Sequence, residues 1–177
     1  MQDAVRIALV SGSLNPESLS RRMAQHAEKS LKTLGANVDF IDLQEIPLPL
    51  CDGDSAYSHP EVGKIRSRIE AAEGILIAAP VYNFYLNAAV KNLIELTGSA
   101  WEDKVVGFLN AAGGYSSYMS VMSIANSLML DFRCVIVPRF VYAVGSAFRD
   151  GAISDGKVAE RIDELANELV RFARKLG

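Results

Sequence analysis

The sequence predicts an α/β protein with one open, five-stranded parallel sheet covered by helices on both faces, and three observations lead to this expectation. Five short, almost continuously apolar segments alternate with segments whose apolar residues recur every three or four positions. Strands that are apolar on both sides are typical of a parallel sheet buried between helical layers. No internal repeat or linker interrupts the 177 residues, so a single domain is expected over 1–177.

The first half of the chain predicts a strand, a helix and a second strand. Residues 5–10 read Val-Arg-Ile-Ala-Leu-Val and suit a buried strand. A helix is expected from Ser18 to the terminator Gly35, because apolar residues between them recur at helical spacing. Residues 38–42 form the second predicted strand. A long loop with Pro47 and Pro49 follows and runs to about residue 60.

The second half continues the same alternation. Helices are predicted over residues 61–72, 87–96, 118–129 and 158–176, and strands over 74–79, 105–111 and 134–137. The run at 74–79 is too short for a helix and ends before Pro80, which makes it the expected central strand. In such a sheet ligands bind beyond the carboxyl ends of the strands, so the loops after the first, third and fourth strands are the candidate site.

Composition excludes several classes of function. Half of the residues are hydrophobic and 22% are charged, with 18 Lys plus Arg against 21 Asp plus Glu. A formal charge of -3 offers no electrostatic footprint for nucleic acid or an anionic membrane, so the expected partner is a small molecule. Two cysteines and two histidines far apart predict neither a disulfide framework nor a metal site. With no secretory signal pattern and no membrane-length apolar run, the expected location is cytoplasmic.

The loop at residues 11–20 has the composition of a phosphate site. It places four serines, a glycine and an asparagine directly before a helix, where hydroxyls and free backbone N–H groups bind anions. Arg21 and Arg22 are possible sources of positive charge. The alternative is that Ser18 is only a helix N-cap and the rest is an ordinary turn. Neither nucleotide-binding glycine fingerprint is present, so Asp42 is expected to be a surface or turn residue rather than a ribose ligand.

The other two loops suit a flat ligand. Residues 80–85 read Pro-Val-Tyr-Asn-Phe-Tyr, an aromatic cluster that favours either a planar heteroaromatic ring or a packing contact. The pair Gly113-Gly114 allows close backbone approach, although a tight turn explains it equally well. Together the three loops fit a phosphorylated flat cofactor such as FMN. No nucleophile with a base and an orienting acid stands out, and His26 and His59 are expected to be incidental surface residues, so no catalytic side chain is predicted.

These residues resemble the NADPH-dependent FMN reductase family, a branch of the flavodoxin-like fold. The most specific similarity is Ala-Pro-Val-Tyr-Asn at 79–83, with Ala-Val-Lys-Asn-Leu-Ile at 89–94, which matches the family's Pro-Glu-Tyr-Asn segment and the helix after it. The start, Gly-Ser-Leu at 12–14 with Ser18 and Arg21, is similar to the family's phosphate loop. The segment at 148–153 resembles a late turn before the last helix. The sequence departs from the family at Asn15, commonly Arg, and at Val81, commonly Glu.

The resemblance implies a three-layer sandwich with strand order 2-1-3-4-5 and assigns the cofactor contacts. It places the FMN phosphate on Ser11, Ser13, Ser18 and Ser20, the isoalloxazine ring beside Pro80, Val81, Tyr82 and Asn83, and the pyrimidine side of that ring on Gly113, Gly114 and Tyr115. It also implies NADPH or NADH as electron donor, a small acceptor such as a free flavin, quinone, azo compound or metal oxyanion, and a homodimer or homotetramer in which Phe84-Tyr85 completes a neighbour's pocket.

Three functions remain to be distinguished. The first is an FMN-dependent oxidoreductase that transfers hydride from NAD(P)H to the flavin and then reduces the acceptor. The second is a flavodoxin-like electron carrier with no nicotinamide site of its own, although a charge of -3 provides little steering field for docking. The third is a flavin-free regulatory or scaffold domain that has kept the fold.

Overall fold

A seven-stranded sheet and a separate hairpin carry the fold in the computed structural model, which describes residues 4–176. The strands are β1 (Arg6–Ser11), β2 (Asn37–Asp42), β3 (Gly74–Tyr82), β4 (Tyr85–Leu86), β5 (Val105–Ala112), β6 (Val135–Ile136), β7 (Val141–Val144), β8 (Phe148–Arg149) and β9 (Ala152–Ile153). The helices are α1 (Leu19–Thr33), α2 (Pro60–Glu70), α3 (Ala88–Thr97), α4 (Met122–Phe132) and α5 (Gly156–Leu176).

The parallel strands lie in the order β2-β1-β3-β5, and β6 and β7 share the position beyond β5. The predicted α/β class and order 2-1-3-4-5 are therefore confirmed, but the fifth strand is divided. β6 pairs with the first residues of β5, whereas β7 pairs with its last four. Pro138 lies in the interruption between them, where its missing N–H cannot continue a ladder. The sequence analysis placed no strand at Val141–Val144, although this strand brings Gly145 to the carboxyl edge of the sheet.

Two hydrophobic layers sandwich the sheet. α1 and α5 cover one face, and α2, α3 and α4 cover the other. Side chains of the central strands alternate between these two layers, as in Leu76 against α1 and α5 and Ile77 against the other three helices. The sheet is thus buried on both sides, which explains why its strands read as continuous apolar runs. None of the helices within residues 4–176 is long and apolar enough to cross a membrane.

The predicted helix at 118–129 is wrong at its start. A 3-10 segment, Tyr115–Val121, precedes α4, and Ser117 interrupts it with φ -101° and ψ 27°. β3 also runs three residues past its predicted end, through Pro80. Residues 78 and 80 direct their backbone polar groups to the same side of β3, and the Ala78 carbonyl accepts from the Gly12 N–H on the side of β1. Because β1 ends at Ser11, no strand lies opposite Pro80 on that side, and its missing N–H costs no ladder hydrogen bond.

Candidate functional site

A cleft of about 370 Å³ opens at the carboxyl edge of the sheet, beside the point where the strand order reverses between β1 and β3. Open α/β sheets bind ligands at such a position. The cleft is lined by Ser13, Asn15, Glu17, Ser18, Leu19, Ser20, Pro80, Val81, Tyr82, Ala111, Ala112, Gly113 and Gly145. A cleft of about 390 Å³ between α1 and α5 lies away from this edge and is lined by helix surface.

The loop before α1 is braced by its own side chains. Ser13 Oγ accepts from the Asn15 N–H at 3.2 Å, and Asn15 Oδ1 accepts from the Glu17 N–H at 3.0 Å. Ser18 Oγ caps the helix by accepting from the Arg21 N–H at 3.2 Å. Asn15, which stands where the family commonly has Arg, is therefore a turn-forming residue here.

This loop leaves hydrogen-bond donors free at the N-terminus of α1. Ser18 Oγ and Ser20 Oγ lie 2.8 Å apart, so one of their two hydroxyl protons joins them and the other remains for a ligand. Within residues 4–176, neither the Leu19 nor the Ser20 backbone N–H has an acceptor. Neutral donors at the positive end of a helix dipole form an anion site. The capping and phosphate-binding interpretations of Ser18 are thus compatible.

Arg21 and Asp42 have roles that the sequence analysis missed. The Arg21 side chain is 10% exposed and forms a two-point ion pair with Asp42, whose side chain is 13% exposed. Asp42 is a turn residue, as expected, since its Oδ1 accepts from the Gln44 N–H at 3.1 Å just after β2. The expectation did not include the second role, which arises because β2 ends beside α1 and presents this carboxylate to the arginine. Arg22 does not add charge to the loop, since its guanidinium contacts Gln25 and lies near Gly151.

Gly12 and Asn87 tie the loop to the central strand. The Gly12 N–H donates to the Ala78 carbonyl at 2.8 Å, and its own carbonyl accepts from Asn87 Nδ2 at 2.6 Å. A Cβ at residue 12 would lie 2.4 Å from Val90 Cγ2. Glycine is required here by this close approach between the loop and α3. The sequence analysis named Asn87 only as the start of a helix.

The aromatic segment forms a two-residue hairpin between β3 and β4. Pro80, Val81 and Tyr82 belong to the strand and line the cleft, and the Tyr82 ring is 55% exposed. Asn83 and Phe84 form the turn at φ 51° and 62°, in the left-handed region. The turn carries Asn83 beyond the cleft lining, so the structure separates it from its three predicted neighbours.

The glycine loop contributes only part of its predicted residues. Gly113 lines the cleft, and a Cβ there would meet no atom of the described chain within 4 Å, so the space above it belongs to the cleft. Gly114 lies outside the lining, and its carbonyl accepts a hydrogen bond from the Tyr142 hydroxyl on β7. Tyr115 is 76% exposed and is not among the residues that line the cleft.

The structure therefore brings together most of the predicted site. The cleft contains Ser13, Ser18, Ser20, Pro80, Val81, Tyr82 and Gly113 but not Ser11, Asn83, Gly114 or Tyr115. Ser11 is fully buried at the end of β1, and its hydroxyl has no partner among residues 4–176. Six lining residues were not among the predicted contacts: Asn15, Glu17, Leu19, Ala111, Ala112 and Gly145. The first three belong to the predicted phosphate loop, and Ala111 and Ala112 directly precede the glycine pair, so both groups had a usable signal. Gly145 depends on the unrecognised β7.

The histidines and cysteines lie outside the cleft. His26 pairs with Asp163 across the α1–α5 surface, and His59 caps α2 by accepting from the Glu61 N–H. Both lie partly exposed outside the cleft, and each makes a contact that stabilises the fold. Cys134 is a buried core residue, and this burial raises the pKa of its thiol to about 11. In the part of the chain that the structure describes, no cluster of His, Cys, Asp or Glu could hold a metal ion.

The chemistry of the cleft fits FMN. One end offers hydroxyl and N–H donors suited to a phosphate, and the other offers an apolar wall with an open tyrosine ring suited to a flat heterocycle. The volume lies within the range of about 300 to 1,000 Å³ that is usual for small-molecule sites. Glu17 is the one ionisable side chain other than Tyr82 in the lining formed by residues 4–176.

Comparison with known proteins agrees with this geometry. The model of the family described as NADPH-dependent FMN reductase matches residues 5–149. An NAD(P)H-dependent FAD/FMN reductase of Geobacillus thermodenitrificans is 28% identical over 139 residues, covering 77% of this chain and 75% of its own. An NAD(P)H:quinone oxidoreductase of Solanum tuberosum is 25% identical over 189 residues, covering 99% and 96%. A solved flavoenzyme NAD(P)H:(acceptor) oxidoreductase from Paracoccus denitrificans is 21% identical, with a TM-score of 0.81 over 98% of this chain and 100% of that one.

Proposed function

The chain belongs to the NADPH-dependent FMN reductase family, and from this premise we propose that the cleft at the carboxyl edge of its sheet is the FMN site. The protein is an oxidoreductase with FMN as cofactor and NAD(P)H as electron donor. The observation that carries the site is the free donor set of Ser18, Ser20 and the first N–H groups of α1, which faces the same cleft as the apolar wall.

Each part of the lining has a separate task in this proposal. The donors at the start of α1 bind the phosphate, and the Gly12 contacts to β3 hold that loop against the sheet. Pro80 and Val81 form one wall for the ring system, and Ala111 to Gly113 form the other. When bound, FMN supplies the redox chemistry by accepting a hydride and passing electrons on. The chain orients the reactants and needs no proton-transferring side chain for the first half of the cycle.

We infer that the electron acceptor is a small molecule of the quinone or flavin class. Relatives named as quinone and flavin reductases support this class. The exposed ring of Tyr82 at the cleft mouth offers a flat surface on which an aromatic acceptor can stack. Azo compounds and metal oxyanions are further candidates.

The visible spectrum tests the proposed activity. The purified protein is expected to be yellow, or to become so on addition of FMN, and to bleach when NADPH is added without oxygen. Reoxidation by an added quinone then completes the cycle. A yellow protein that NADPH does not bleach would instead be an electron carrier, and a colourless protein that binds no FMN would fit a regulatory or scaffold domain.

We propose that the protein is a homodimer or homotetramer through an apolar patch next to the cleft, formed by Tyr82, Phe84, Tyr115 and Met119. Each of these side chains is between 49% and 76% exposed. The hairpin strand β4 packs against the 3-10 segment that carries Tyr115 and Met119, and large apolar side chains exposed on neighbouring elements are typical of a protein interface. Light scattering after gel filtration should give a multiple of the chain mass, and Phe84→Asp should shift it toward the monomer. The matched control is Leu130→Asp, on α4 and 83% exposed. A wild-type monomer would contradict the proposal.

We also propose a cytoplasmic location, which the use of NAD(P)H as donor supports. Fractionation of cells into cytoplasmic, membrane and secreted material checks it.

A further inference from the structure

We propose that Arg21 is a positioning residue for cofactor binding: together with Asp42 it holds the carbonyls of residues 13–16, and so fixes the loop that leads into the donor groups at the start of α1. The proposal rests on the assignment of the cleft as the FMN phosphate site. It goes beyond that assignment because Arg21 acts through the loop and binds no part of the ligand.

All five N–H donors of the Arg21 guanidinium have acceptors within the protein. Nε and Nη2 donate to the two carboxylate oxygens of Asp42 at 2.8 and 2.9 Å. Nη1 donates to the carbonyls of Asn15 and Pro16 at 3.0 and 3.2 Å. The second Nη2 donor reaches the Ser13 carbonyl at 3.4 Å. Since a guanidinium has five donors, none is left for a phosphate.

These contacts determine which polar groups of the loop reach the cleft. A carbonyl oxygen that faced a bound phosphate would repel it, whereas an N–H or hydroxyl attracts it. Arg21 engages the carbonyls of Ser13, Asn15 and Pro16, and two of these residues, Ser13 and Asn15, belong to the cleft lining. The arginine thus occupies carbonyl oxygens that would repel a phosphate if they turned toward the cleft.

Asp42 is needed because the arginine is nearly buried. An unpaired guanidinium with 10% exposure would be costly, and the two-point carboxylate contact compensates its charge and sets the plane of the fork. The pair adds little net charge to the site. Recognition of the phosphate therefore depends on correctly oriented neutral donors. The rigid, planar arrangement of the five guanidinium donors matters more here than the positive charge, because it is what holds the loop in place.

The test compares FMN with riboflavin, which lacks the phosphate. Dissociation constants are measured by flavin fluorescence quenching on the full chain freed of bound flavin, for the wild type, Arg21→Gln, Arg21→Lys and Arg22→Gln. Arg21→Gln is expected to weaken FMN binding by about 10-fold to 100-fold and leave riboflavin binding within about twofold. Arg21→Lys keeps the charge but has three donors instead of five, so it should rescue little. Arg22→Gln removes the neighbouring charge and should match the wild type.

Other sets of dissociation constants would contradict the proposal. Full FMN affinity in Arg21→Lys would overturn the proposal, because charge alone would then suffice. Equal losses for FMN and riboflavin, or equal losses in the Arg21 and Arg22 variants, would also overturn it in favour of a general structural role. If Arg21→Gln does not fold, Arg21→Lys decides the question. If the wild type binds riboflavin as tightly as FMN, the phosphate site itself is refuted, and the positioning role with it. If the wild type prefers FMN but the Arg21 variants bind it normally, only the positioning role is refuted.

Discussion

Replacing Ser18 and Ser20 together by alanine is expected to weaken FMN binding by about 10-fold to 150-fold, because the hydroxyl pair leaves one proton for the ligand and a hydrogen bond to a charged phosphate contributes roughly 1.5–3 kcal/mol. The two hydroxyls are paired at 2.8 Å and are the side-chain donors at the start of α1. Riboflavin affinity should stay nearly constant, since the loss concerns the phosphate. Titration of the variant with both flavins measures the effect.

Loss of the helix cap must be separated from loss of a ligand contact. Ser18→Ala removes the cap and costs about 0.5–2 kcal/mol of stability. Ser18→Asp keeps a good cap but places a negative charge at the site, so it should fold like the wild type and still fail to bind FMN. Ser30→Ala, further along α1 and outside the cleft, is the matched control. If Ser18→Asp binds FMN normally, Ser18 is only a cap.

Gly12→Ala is expected to lower the free energy of unfolding by about 1–3 kcal/mol, the usual cost of overpacking. The new Cβ would lie 2.4 Å from Val90 Cγ2 and 3.3 Å from the Ala78 carbonyl oxygen. Because Val90 is fully buried in the hydrophobic layer that contains α3, it can yield only if its neighbours in that layer also shift. The strain also displaces the phosphate loop, so FMN affinity should fall in the same variant. Chemical denaturation and FMN titration measure the two effects.

A double variant shows whether the close contact with Val90 is the cause. Val90→Ala removes the clashing methyl group, so Gly12→Ala with Val90→Ala should be more stable than the sum of the two single effects by about 0.5–3 kcal/mol. Gly63→Ala is the control, since a Cβ there meets open space and the residue is exposed outside the cleft. Additive single effects would mean that the cost at Gly12 comes from the backbone and not from α3.

The periodicity of apolar residues was sufficient to predict the long strands and helices. β1, β3 and β5 are buried on both faces and therefore read as unbroken apolar runs, and α1 and α5 cover one face and therefore show helical spacing. Short elements carry no such period. β7 has only four residues and depends on pairing with the end of β5, so it could not be distinguished from a loop. The 3-10 start before α4 was missed for the same reason.

Those parts of the candidate site that consist of neighbouring residues in the sequence could be predicted. Ser13, Ser18 and Ser20 share one loop, and Pro80 to Tyr82 share one strand end, so composition alone indicated both groups. Asn83 was placed with them because it belongs to the segment that resembles the family's Pro-Glu-Tyr-Asn motif, and the hairpin turn at φ 51° carries it past the residues that line the cleft. A motif records which residues are neighbours along the chain but not where the backbone reverses.

The α/β class and the carboxyl edge at which the ligand loops meet follow from periodicity and composition, and the family and the strand order follow from the resemblance of short contiguous motifs. The roles of the charged residues near the site became visible only in the folded chain. Arg21 and Asp42 are 21 residues apart and become partners only when β2 is placed beside β1, after which all five arginine donors are satisfied inside the protein. Whether a charge serves the ligand or the loop depends on contacts between distant segments, and neither residue type nor local spacing records them.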